Sequence, residues 1–146
     1  MSTIKSANIM STNVGSKRLR MSRKILLFGE CIPTEHHTLF DRLVREHDLV
    51  PLGTCLETEH VGLVQSKLAT MVKMSKIQEV TVLTVDGSPH CIQLHYSVRE
   101  IQRHFAPDLK VNHYVIENGK LIKIDPRAVT ISRHLSRIQI FLDRSD

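Results

Sequence analysis

The chain has no tryptophan and few other aromatics, 4% of its 146 residues. Platforms that stack single-stranded nucleic acid need several exposed rings, so this function class starts without its main tool. Only three cysteines are present, an odd number that builds no disulfide framework. No apolar run approaches the roughly 18 residues of a membrane span, which argues against a membrane partner. Neither G-x-G-x-x-G nor G-x-x-x-x-G-K-[ST] occurs, which weakens a nucleotide-binding reading without removing it. Acidic residues are missing from positions 1–24, which hold Lys5, Lys17, Arg18, Arg20, Arg23 and Lys24.

That local absence explains the charge. The first 24 residues carry +6, and the other 14 basic and 15 acidic side chains leave the rest near −1. The basic balance belongs to one end of the chain, and the body shows no nucleic-acid footprint. Residues 1–22 are rich in Ser, Asn and Thr without a regular apolar period, so a disordered basic tail is expected there. Met21, just before the first strand-like run, raises the expectation that residues 1–20 are an over-extension. A basic, serine-containing leader also fits a transit peptide but lacks an amphipathic face. Ile25–Phe28 is too short for a signal-peptide core, so a cytoplasmic location is expected.

What is present is one domain's worth of alternating patterns over residues 23–146, 41% hydrophobic for the chain as a whole. Lys24–Phe28 reads as a buried strand. Thr34–His47 has helical spacing in Leu39, Phe40, Leu43 and Val44. Asp48–Gly53 reads as a second strand, with Pro51 favouring an edge. Thr58–Lys73 predicts an amphipathic helix, and Glu79–Val85 the clearest strand. Ser88-Pro89 predicts the start of a helix running to His104. Strands over 110–116 and 120–124 flank Glu117-Asn118-Gly119, a hairpin signal. Asp125-Pro126 starts a last helix with Val129, Leu135, Ile138 and Leu142 as its apolar set. The order β-α-β-α-β-α-β-β-α predicts a three-layer α/β sandwich, Rossmann-like or flavodoxin-like, with a mostly parallel sheet and a C-terminal hairpin and helix.

Ligands of such sheets sit outside the carboxyl ends of the strands. All three cysteines fall there: Cys31 after the first strand, Cys55 after the second, Cys91 after the third. Gly29–His36 and Gly53–His60 repeat one pattern, G-x-C-apolar-x-T-E-H, at an offset of 24 residues. Turn geometry and helix capping account for the Gly, Thr and Glu of the repeat. They do not account for cysteine at the same place on successive strands. Three such thiols predict a soft-ligand site: Cys31, Cys55 and Cys91 holding an iron–sulfur cluster, [4Fe–4S] by preference.

Neighbouring strands lie about 4.8 Å apart, so the outer two of three lie about 9.6 Å apart. A zinc ion needs its ligands within about 4 Å of one another, which makes zinc the alternative metal. A fourth ligand is sought among His36, His60, His90 and His95, with His90 favoured beside Cys91, or from a second subunit of a homodimer. The cluster reading implies electron transfer with a redox partner protein or small molecule. A second reading makes Cys91 a catalytic nucleophile near a helix start, with His90 or His95 as base. A nucleotide-binding or partner-binding α/β module is the third. Asp86 reads as a turn former.

Overall fold

The computed structural model describes residues 3–145. In chain order the elements are β1 (Ala7–Asn8), α1 (Lys17–Ser22), β2 (Lys24–Gly29), α2 (Ile32–Glu35), α3 (His37–His47), β3 (Val50–Thr54), α4 (Val61–Met74), β4 (Glu79–Val85), α5 (Pro89–His104), β5 (Lys110–Glu117), β6 (Lys120–Ile124), α6 (Pro126–Ile131) and α7 (Leu135–Ser145). One sheet has the order β1-β3-β2-β4-β5-β6. Every pairing is parallel except β5 with β6. The α/β three-layer architecture expected from the alternation is the observed one.

The central strands are apolar on both faces because both faces are covered. Ile25 and Leu27 of β2 join Val64, Leu68 and Met71 of α4 and Leu94, Val98 and Ile101 of α5. Leu26 and Phe28 point the other way, toward Phe40, Leu43 and Val44 of α3. Phe28 and Phe40 meet edge to face, with ring centroids 4.7 Å apart. The chain winds from β2 outward to β3, then crosses back to β4 on the other flank of β2. The switch point of this doubly wound sheet therefore lies at the carboxyl ends of β2 and β4.

The expected disordered tail is corrected over its described part. Ala7 and Asn8 pair with Leu52 and Gly53, and Ile9 and Leu19 are completely buried in the α4/α5 layer. The Ser75 hydroxyl donates to the Val14 carbonyl at 2.6 Å. Ile9 and Leu19 show no periodicity because they do not share one helix or strand face. They are buried by the free edge of β3 and by α4, surfaces that exist only after the sheet has formed.

The same pairing refines the reading of Pro51. It lies in β3, next to the edge, but β1 reaches only Leu52 and Gly53 and leaves Pro51 outside its ladder. The helix expected over Thr34–His47 is two helices broken at His36, so Thr34 is not an N-cap. Nor is Thr58: α4 begins at Val61, capped by His60, whose Nδ1 accepts from the Gly62 N–H at 2.9 Å. The hairpin stands as expected, with Asn118 and Gly119 at φ of 51° and 70°. The last helix is divided into α6 and α7. Val129 is buried, but Leu135 and Leu142 are exposed and contribute nothing to the core.

Candidate functional site at the sheet switch point

The repeated sequence makes a repeated backbone. After β2, the Cys31 carbonyl accepts from the N–H groups of Thr34 (3.3 Å) and Glu35 (3.0 Å). After β3, the Cys55 carbonyl accepts from those of Thr58 (3.1 Å) and Glu59 (2.8 Å). Each G-x-C-x-x-T-E-H stretch is thus one helical turn that opens at its cysteine. The apolar residue after each cysteine anchors the turn: Ile32 is fully buried on the α3 side, and Leu56 packs on the α4/α5 side. The third loop differs. Gly87 takes φ of 91° after Asp86, which is an exposed turn residue, and Ser88 caps α5 by accepting from the Cys91 N–H at 3.4 Å.

These three loops enclose one pocket of about 190 Å³. Its lining includes Cys31, Cys55 and Cys91, together with Glu30, Glu57, His90, Leu56 and Leu94. Cysteines from three adjacent strands, 60 residues apart at the extremes, thus share one wall. Cys31 stands exposed at the rim, and Cys55 and Cys91 are half-buried. All three are free thiols. Burial pushes the Cys31 thiol up from its ordinary value, with Glu35, Cys91 and Cys55 adding to the rise.

The loops are wired by one carboxylate. Glu59 Oε1 accepts from the Thr54 hydroxyl (2.9 Å), the Cys55 N–H (3.1 Å) and Asn8 Nδ2 (3.0 Å). Burial opposes ionisation of Glu59, but bonds from Asn8, the Cys55 backbone and Thr54 together hold its carboxyl below the usual range. The Asn8 amide also donates to Glu30.

The histidines divide. Only His90 of the four candidates lines the pocket, and its Nδ1 stands 3.8 Å from Glu57 Oε1. His36 sits at the α2/α3 break and His60 caps α4, both outside the pocket lining. His95 is buried in the core with Nε2 on the Thr84 hydroxyl (2.7 Å) and Nδ1 on His113 Nδ1 (2.9 Å). This corrects its expected roles as fourth ligand or as base for Cys91. Among the described residues no group of three or more His, Cys, Asp or Glu side chains is placed to hold a metal ion. The set Cys31, Cys55, Cys91 and His90 is therefore not gathered round a single metal ion. The strand order β3-β2-β4 explains this, since it puts Cys55 and Cys91 on the outer pair of three strands, about 9.6 Å apart.

Sequence reasoning missed Asn8, because the segment around it has no period to read. It also left the facing of His113 open. Alternation in β5 held that signal: Val111, His113 and Val115 share a face, and Val111 packs on the core.

The fold and this crevice define an α/β protein with a pocket at the switch point of its sheet. Residues 18–142 match the family described as a Rossmann-like domain, and the chain belongs to that family. No curated protein and no solved structure matches it. None of the helices among the described residues is long and apolar enough to cross a membrane.

Proposed function

We propose that the switch-point pocket is a three-thiol cofactor site whose occupant is an iron–sulfur cluster, and that the domain acts in electron transfer. The observation that carries this reading is that Cys31, Cys55 and Cys91, from three adjacent strand ends, line one pocket. The pocket offers three soft thiol donors, the kind that select thiolate-ligated metal groups. A span of three strands is too wide for one tetrahedral ion but suits the larger body of a cluster. The small volume, about 190 Å³, favours a compact group, since pockets for drug-sized organic ligands run to about 300–1,000 Å³.

The same lining argues against a nucleotide. It contains no lysine or arginine to hold a phosphate. The Cys91 nucleophile reading is weaker because His95, one of its two candidate bases, is bound to Thr84 and His113.

The chain's own residues have definable tasks. Cys31, Cys55 and Cys91 would supply three thiolates, and the cluster would supply a one-electron store. Ser88 caps α5, so Cys91 lies in its first turn and lines the pocket. Leu56 and Leu94 wall the pocket with hydrocarbon, limit water and raise the strength of local electrostatics. Cys31 holds its proton more tightly than an ordinary thiol and releases it on ligation.

Anaerobic reconstitution of the full chain with iron and sulfide tests this. A broad visible absorption band with matching bound iron and sulfide, lost in each of Cys31→Ala, Cys55→Ala and Cys91→Ala, is the expected result. A colourless product that retains no iron would overturn it. Loss confined to Cys91→Ala would move the assignment to thiol chemistry at Cys91.

A further inference from the structure

We infer that Asn8 is a positioning residue of the thiol site, a latch through which the N-terminal segment holds the Cys31 and Cys55 loops together. The inference rests on the three-thiol reading of the pocket. The geometry is a continuous chain of bonds. The Cys55 N–H donates to Glu59 Oε1, the Asn8 amide donates to that same oxygen, and the amide also donates to Glu30, the residue before Cys31.

An asparagine amide has two N–H donors on one nitrogen. Here each meets a different carboxylate on a different loop. The two carboxylates are drawn to one point and would repel each other without a donor between them. The Asn8 carbonyl oxygen is occupied as well, accepting from the Met10 N–H at 2.7 Å, which fixes the side chain. The backbone of Asn8 is held by pairing with Gly53, and by the Thr12 hydroxyl, which donates to its carbonyl at 2.8 Å. Ile9, next in sequence, is buried and anchors the strand. Asn8 is thus rigidly placed, and its free donors are spent on the loops. No thiol is needed to explain its fold role, but its two carboxylate bonds join the segments that carry two of the three cysteines.

The test uses dibromobimane, which becomes fluorescent when two neighbouring thiols displace both bromides. Two C–Br bonds break, two C–S bonds form, and two equivalents of HBr leave. In the full-length chain, peptide mapping should place a bridge between Cys31 and Cys55. Asn8→Ser keeps a cap for Met10 but cannot span both carboxylates, and should slow that bridging about tenfold. Asn8→Asp adds a third carboxylate and should slow it further. Asn13→Ala, in the same segment but away from the latch, should bridge like the parent. Circular dichroism and urea midpoints establish that the compared variants are equally folded. If Asn8→Ser, folded like the parent, bridges at the parental rate, Asn8 is not a latch. If the parent chain itself forms no Cys31–Cys55 bridge, the thiols do not converge and the reading beneath the inference fails.

Discussion

His95 Nδ1 lies 2.9 Å from His113 Nδ1, inside the core between α5 and β5. One ring must donate and the other accept, so the pair shares a single proton on that contact. His95 Nε2 is taken by the Thr84 hydroxyl, whereas His113 Nε2 has no partner among the described residues. Burial pushes His95 down to about 3, with His113 adding to it, and burial with Arg99 nearby pushes His113 down to about 4. Both rings are neutral at physiological pH.

Acid sensitivity follows from this pair. The unfolded chain takes up protons on these residues below about 6.5, while the folded chain refuses them until pH 3 to 4. Stability should therefore fall as pH drops from 6.5 toward 4, by about 1.4 kcal/mol per pH unit for each histidine involved. Urea midpoints at pH 7.5, 6 and 5 measure it. In a double His95→Leu, His113→Leu variant that still folds, the slope in this window should flatten; an unchanged slope would assign acid sensitivity elsewhere.

The N-terminal segment should matter to stability. Ile9→Ala removes a fully buried side chain and should cost about 2–4 kcal/mol. A free tail would give a change within about 0.5 kcal/mol. A chain begun at Met21 loses Ile9, Leu19 and the β1 pairing together and should be far less stable still. Chemical denaturation separates these outcomes.

The two glycines of the repeat should respond differently. A Cβ on Gly53 would sit 3.0 Å from two Phe28 ring carbons and 3.1 Å from Glu30 Cγ. Gly53→Ala should destabilise by about 1–3 kcal/mol through this crowding. At Gly29 the nearest atom is Ile32 Cδ1 at 3.9 Å, so Gly29→Ala should be nearly neutral. Equal effects at both sites, read as shifts in melting temperature, would show that turn geometry and not packing governs them.

Ligation at the thiol pocket should strengthen with pH. The Cys31 proton, held above the ordinary thiol value by burial and by Glu35, has to leave first. Iron and sulfide retained at equilibrium should rise between pH 6.5 and 8.5. Glu35→Gln removes one of the charges that hold the proton and should move this rise to lower pH.

Much of the fold was legible along the chain, and the site was legible in part. The strand runs, the Ser88-Pro89 cap and the Asn118-Gly119 turn are local signals, and each forms as read. Cysteine recurring after three strands pointed to the pocket before any geometry was known, because in a parallel sheet successive strand ends face the same way. Asn8 was invisible for the opposite reason. Its meaning depends on Glu30 and Glu59, 22 and 51 residues away. Leu135 and Leu142 misled, since helical spacing records an apolar face without saying that anything covers it.

The alternation of strands and helices, the repeated cysteine turns and the capped start of α5 are written locally along the chain. Each rests on propensities and hydrogen bonds that span a few residues. The strand order β3-β2-β4, the burial of Ile9 and Leu19, the Asn8 bridge and the withdrawal of His95 from the pocket were decided only by the tertiary structure. They depend on which surfaces meet once distant segments have packed, and no local pattern encodes that.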